Sequence, residues 1–176
     1  MTLTQTRLTR IQKRHNRKAF DCGYADLNEF LAHSARASSD KRMTRTFVLE
    51  DPTDPNTIMA HITLTYTTLD LPVECKPARK LKNPVPALLL AKMAVDNRYK
   101  GSSYGKRLLT FAIKEASETS NRVGGVGLVI DAKDSDAKAF YLSRGGDDFD
   151  IIDESGLKLW LPIDICDAIA QTLGDR

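Results

Sequence analysis

The chain is poor in the residues that mark secreted, metal-bound or membrane-embedded proteins. Of its 176 residues only three are cysteines, Cys22, Cys75 and Cys166. They are odd in number, widely spaced and without a C-x-x-C pair. This excludes a disulfide framework, argues against structural zinc and predicts a reducing, cytoplasmic setting. Long hydrophobic runs are missing as well. The longest ends at Ala91 and falls far short of the ~20 residues a bilayer span needs. No apolar stretch near the N-terminus has the form of a secretory leader, so none is expected. Ten glycines and seven prolines are too few for a collagen-like or low-complexity chain. His15, His33 and His61 lack ligand spacing among themselves or with the cysteines, so no metal is expected and they read as surface or hydrogen-bonded core residues.

Acidic residues are absent from the first eighteen positions, which hold Arg7, Arg10, Lys13, Arg14, Arg17 and Lys18. Residues 1–107 carry 19 Lys/Arg against 10 Asp/Glu, whereas residues 108–176 carry 7 against 13. A positive half facing an acidic half suits a polyanionic partner, because phosphates gain Coulomb energy and release counterions there. Scattered charge on a solvated surface is the plainer alternative.

What remains is an ordinary mixed sequence, read as one domain over residues 1–176. Residues 7–11 suit a short strand, and Tyr24 to Arg36 places Leu27, Phe30 and Leu31 at helical spacing. Thr46 to Glu50 reads as a strand, followed by a loop over residues 51–56. Ile58 to Tyr66 reads as a strand with Ala60, Ile62, Leu64 and Tyr66 on one side. Four prolines in residues 70–86 favour an extended loop. The run Leu88 to Val95 is apolar on both faces, as in a buried central strand. A turn over 96–105 leads into a helix whose stripe is Leu108, Leu109, Ala112, Ile113 and Ala116. Strands at Val126–Ile130 and Leu157–Leu161, a helix at Ser135–Arg144 and a terminal helix near Asp164–Leu173 complete the order. Asp147, Asp148, Asp150, Asp153 and Glu154 read as a solvated acidic loop, Trp160 as core and Cys22 as a small buried residue.

A strand, a glycine-containing turn and a helix start in succession suit an anion site. The first amides of a helix have no intrahelical acceptor, and the helix dipole places partial positive charge there. Gly101 and Gly105 admit a close backbone approach, and Lys100, Lys106 and Arg107 add charge. A Walker loop is excluded because Lys106 is followed by Arg107. A tight turn without a ligand would show the same residues. Further on, Tyr141 in Ala139-Phe-Tyr-Leu-Ser-Arg-Gly145 is either packing or a proton donor, since a phenol stays protonated at neutral pH.

The two stretches together resemble the GCN5-related N-acetyltransferases. Lys100-Gly-Ser-Ser-Tyr-Gly105 occupies the family's Arg/Gln-x-x-Gly-x-Gly/Ala motif, and Ala139 to Gly145 is similar to its A-x-F-Y-x-x-x-G-F segment. Three further stretches resemble the acetyltransferase toxins of bacterial toxin–antitoxin pairs: Phe20 to Leu31, Pro84 to Leu90 and Leu157 to Pro162. The likeness implies an α/β fold with a central mixed, mostly antiparallel twisted sheet, splayed at the central strand and flanked by helices. It implies acetyl-CoA as co-substrate, held by Met93, Ala94 and Val95 on the strand and by Lys100, Gly101, Ser102, Ser103, Tyr104, Gly105 and Lys106 on the loop. Tyr141 would be the general acid toward the departing thiolate. The acceptor would be the α-amine of an aminoacyl-tRNA, a weak base that needs no protein carboxylate or histidine to deprotonate it. Arg36, Arg79 and Lys80 are the residues picked for RNA contacts. A ribbon-helix-helix antitoxin and a homodimer are the implied partners.

Three positions depart from the family pattern. Lys100 replaces Arg or Gln, Ser103 replaces a glycine and Gly146 stands where Phe is usual. Weaker coenzyme binding or lower activity would follow from these changes. An acetyltransferase for a small or protein amine, and a binding module that kept the fold without turnover, are the competing readings.

Overall fold

The computed structural model describes residues 6–75, 80–145 and 148–174. Seven strands form one sheet: β1 (Leu8–Arg10), β2 (Arg45–Asp51), β3 (Asp54–Leu69), β4 (Val85–Val95), β5 (Gly127–Asp131), β6 (Asp150–Ile151) and β7 (Lys158–Pro162). Their order across the sheet is β1-β2-β3-β4-β5-β7-β6. The β1–β2, β2–β3, β5–β7 and β6–β7 ladders are antiparallel, and β4–β5 is parallel. The helices are α1 (Ala25–Glu29), α2 (Ala35–Asp40), α3 (Tyr104–Val123), α4 (Ser135–Gly145) and α5 (Ile163–Gly174). The sheet is therefore mixed and mostly antiparallel, as expected. No helix among the described residues is long and apolar enough to cross a membrane.

The chain divides into two compact units, one ending at Thr65 and resuming over Ala91–Leu108, the other holding Tyr66–Leu90 and the residues from Leu109 on. In the first, Phe20, Cys22, Leu27, Leu31, Ala35, Val48, Ile58 and Ala94 close one apolar cluster. The helix expected from Tyr24 to Arg36 extends to Asp40 and contains a π-helical turn at Phe30–Ser34, closed by the Ala35 N–H to the Phe30 carbonyl. In the second, Val85, Ala87, Val129, Ile152 and Trp160 form the core. The α4 N-terminus is capped by Asp134, whose Oδ1 accepts from the Ala137 N–H at 2.8 Å.

Several boundaries differ from the sequence reading. The loop expected over 51–56 shrinks to a tight hairpin, because β2 runs to Asp51 and β3 starts at Asp54. Asp51 and Asp54 fold their own side chains back on Thr53, Asn56 and Thr57, a local device with no hydrophobic signature. Alternation on β3 fails too: Ile58 to Leu64 are all buried, whereas Tyr66 is exposed. Packing on both faces overrides the period-2 pattern. The acidic loop is partly a strand, since Asp150 and Ile151 pair with β7; Asp147 lies outside the described residues.

Candidate active site

The parallel ladder between β4 and β5 covers three registers, Leu88–Leu128 to Leu90–Ile130. From Ala91 to Val95 the strand continues past it, with Ala91, Lys92, Met93 and Val95 half-buried and Ala94 buried. Expected burial on both faces therefore holds for the start of β4 and lapses over its last turns of pleat. A strand that runs on beyond its partner leaves backbone amides and carbonyls available to a ligand.

Asp96 organises the turn between β4 and α3. Its carboxylate is almost fully buried and accepts from the Arg98 backbone N–H and Nε on Oδ1, and from Arg98 Nη2 and the Asp21 N–H on Oδ2, at 2.9–3.1 Å. Burial alone would raise its pKa; the Arg98 and Asp21 donors outweigh that and hold it below the usual carboxylate range. Asn97 N–H donates to the Asp21 carbonyl at 2.8 Å, and Lys100 Nζ to the Cys22 carbonyl at 3.1 Å. Tyr99 Oη donates to Asp51 Oδ2 at 2.6 Å, which with burial pushes its pKa up to about 12. The loop is thus fastened to the first unit on three sides before α3 begins.

At the head of α3 the first backbone bond runs from Arg107 N–H to the Ser103 carbonyl at 3.1 Å. Amides of Tyr104, Gly105 and Lys106 precede it and point out of the helix start. Gly101, Ser102 and Ser103 are exposed. Both Gly101 (φ +81°) and Ser103 (φ +61°) are left-handed, so the loop demands a glycine-like backbone at the position where this chain has serine. Among the described residues, no atom beyond its chain neighbours lies within 4 Å of where a Cβ would stand on Gly101. The space beside the loop is therefore open, and the fit to a diphosphate rests on exposed amides at a positive helix end. Of the three cations expected there, Lys100 is directed to Cys22 and Arg107 to Thr6. Lys106 is left exposed.

Tyr141 lies on α4 in the second unit, 5% exposed. Its ring meets Phe140 edge-on, with centroids 5.4 Å apart. Desolvation raises the phenol pKa, so the side chain holds its proton at every working pH. Among the RNA candidates, Arg36 Nη1 donates to Asp40 Oδ2 at 2.8 Å and Lys80 is exposed. Arg79 and Gly146 lie outside the described residues.

Exposed or hydrogen-bonded histidines are what the sequence predicts, and His61 is neither. It is fully buried with no partner for either ring nitrogen among the described residues, its ring 5.2 Å from Phe20. Desolvation, helped by the Lys92 charge, lowers its pKa to about 3. Only its place in a run of buried β3 residues hints at this. His15 and His33 do conform: His15 is buried against Glu50, and His33 lies on the surface near Glu29.

No protein-family model matches the chain. A probable toxin TacT of Sinorhizobium fredii is 26% identical over 160 residues, covering 85% of this chain and 86% of that protein. A tRNA-acetylating toxin of Mycobacterium tuberculosis is 26% identical over 143 residues, covering 81% and 83%. Among solved structures, AtaT complexed with acetyl-methionyl-tRNAfMet superposes with a TM-score of 0.81 at 22% identity, covering 95% of this chain and 99% of that one. Other similar structures are AtaTR bound with acetyl-CoA and a KacTA–DNA complex. The chain thus has the GCN5-related N-acetyltransferase fold, in the form shared by the KacT and AtaT toxins.

Proposed function

We propose that this protein is an acetyl-CoA-dependent N-acetyltransferase that acetylates the α-amine of aminoacyl-tRNA in the cytoplasm and so blocks translation, working as a single catalytic domain. The observation that carries the reading is the fastened loop, which presents exposed amides at the head of α3 directly after β4. Similarity to a tRNA-acetylating toxin supports the acceptor, and the acetyl-CoA complex of AtaTR supports the donor. When bound, acetyl-CoA supplies a thioester-activated acetyl group.

The chain's own residues divide the remaining work. Amides from Gly101 to Lys106 hold the diphosphate, with Lys106 adding charge. Backbone groups of Met93, Ala94 and Val95 orient the pantetheine arm and polarise the carbonyl to be attacked. Tyr141, kept neutral by burial, gives its proton to the departing sulfur. The aminoacyl amine attacks already neutral, since the ester beside it lowers its basicity, and transfer is direct. The carbon–nitrogen bond forms as the carbon–sulfur bond breaks, and the proton shed by the nitrogen restores the Tyr141 phenol. Arg36, Arg79 and Lys80 are proposed to touch the RNA, the first by exchanging Asp40 for phosphate. An antitoxin of the ribbon-helix-helix type and a second copy of the chain complete the assembly; KacTA and AtaT–AtaR complexes with DNA support the former.

Incubation of the purified protein with labelled acetyl-CoA and a pool of charged tRNA should place the label on the aminoacyl amine. Tyr141→Phe should lower kcat by ~100-fold or more and relieve growth arrest on expression. Rapid turnover of polyamines with charged tRNA untouched would overturn the reading.

A further inference from the structure

The structure sorts the cations of the first unit into two groups. Arg14, Arg17, Arg36, Arg45, Arg98, Lys100 and Arg107 all donate to named oxygens within the fold. Of the exposed cations without such a partner among the described residues, which also include Arg7, Lys41, Arg42 and Lys106, Arg10, Lys13 and Lys18 lie close together in the chain. These three fall within nine residues of a segment that lacks any acid.

That segment is tied to the rest of the fold at several points. Ile11 N–H donates to the Thr46 carbonyl at 3.0 Å, and Asn16 N–H to the Asn56 carbonyl at 2.8 Å. Between them, His15 and Arg14 converge on Glu50, whose buried Oε1 also accepts from Thr9 at 2.7 Å. Gln12 N–H donates to His15 Nδ1 at 2.9 Å, so His15 Nε2 carries the proton given to Glu50. Arg17 Nη1 then donates to the Ala32 carbonyl in the π-helical turn at 2.8 Å. A merely solvated basic face needs no such anchoring. Here the acid that could neutralise the segment is buried beneath it and satisfied by Thr9, Arg14 and His15. The free ammonium and guanidinium groups project from a fixed backbone. A groove of about 610 Å³ lies alongside, edged by Arg17 and Lys18. Its two carboxylates are engaged: Asp21 with Gly23 N–H and Asn28 Nδ2, and Glu29 with His33.

We infer that Arg10, Lys13 and Lys18 form a preorganised phosphodiester-binding edge that holds the RNA backbone of the substrate. The inference rests on the acceptor being a charged tRNA, and it adds contact residues beyond Arg36, Arg79 and Lys80. A backbone already fixed need not be ordered on contact, so only side-chain rotamer freedom is lost, and the cations release counterions in proportion to the phosphates they meet.

The test compares the wild type with a triple variant, Arg10→Ala, Lys13→Ala and Lys18→Ala, in tRNA binding by fluorescence anisotropy across a salt series and in acetyl-transfer kinetics. The expected result is a slope of log K against log salt smaller by about 2–3 for the variant. KM for charged tRNA should rise by ~10-fold or more, and Lys13→Arg with Lys18→Arg should retain the wild-type slope. An unchanged slope, a loss confined to kcat, or a loss of antitoxin binding with tRNA binding intact overturns the inference. If the wild type binds tRNA with a slope that the variant loses, yet transfers no acetyl group to it, the edge stands and the proposed reaction falls. If the wild type binds no tRNA, both fall.

Discussion

Ser103 sits in the left-handed region at φ +61°, where a Cβ costs ~1–2 kcal/mol that glycine does not. The strain falls in the loop proposed to hold the diphosphate, so the residue costs stability at the site itself. Ser103→Gly should raise Tm by a few degrees and tighten acetyl-CoA binding, both read from thermal melts with and without the coenzyme. His61 is a second costly residue. Its folded pKa of about 3 lies below the ~6.5 of an unfolded histidine, so below pH 6.5 the unfolded chain takes up a proton that the folded one refuses. Stability is complete above pH 6.5 and falls by ~1.4 kcal/mol per pH unit as pH drops toward 3. His15, lowered by desolvation ahead of its other influences, acts in the same direction. Urea denaturation at pH 7 and pH 5 should show a shallower loss for His61→Leu than for the wild type.

At the scale of the element, β5 is set by one small residue. A Cβ on Gly127 would collide with the Trp160 indole and the Leu161 carbonyl, in the ladder that pairs Gly127 with Pro162. Gly127→Ala should cost about 2–3 kcal/mol, measurable as a lower urea midpoint at unchanged m. The strands β4, β5 and β7 and the helix α3 were legible because their apolar residues are dense and correctly spaced. The π-helical turn was not legible, since Leu27, Phe30 and Leu31 fit an ordinary helix equally well and a shift to i→i+5 bonding leaves no mark in the pattern. Two-residue β6 was hidden in the same way, because its pairing with β7 is read from the partner strand.

For the whole molecule, the asymmetry of charge was plain in the sequence, but which cations are available was not. Arginines and lysines look alike on the page until Arg14, Arg17, Lys100 and Arg107 are seen donating to oxygens far along the chain. The candidate site was legible as motifs, whereas the buried Asp96 that fastens its loop reads as one more acid in a turn. That fastening joins residues synthesised far apart: Asp21 and Cys22 meet Asp96, Asn97 and Lys100. On the ribosome, the segment around Cys22 therefore waits for β4 and the turn beyond it to emerge before its clasp can shut. A nascent chain that stops short of Lys100 lacks the latch on the loop proposed to hold the coenzyme, so the proposed transfer must await the emergence of at least the first hundred residues.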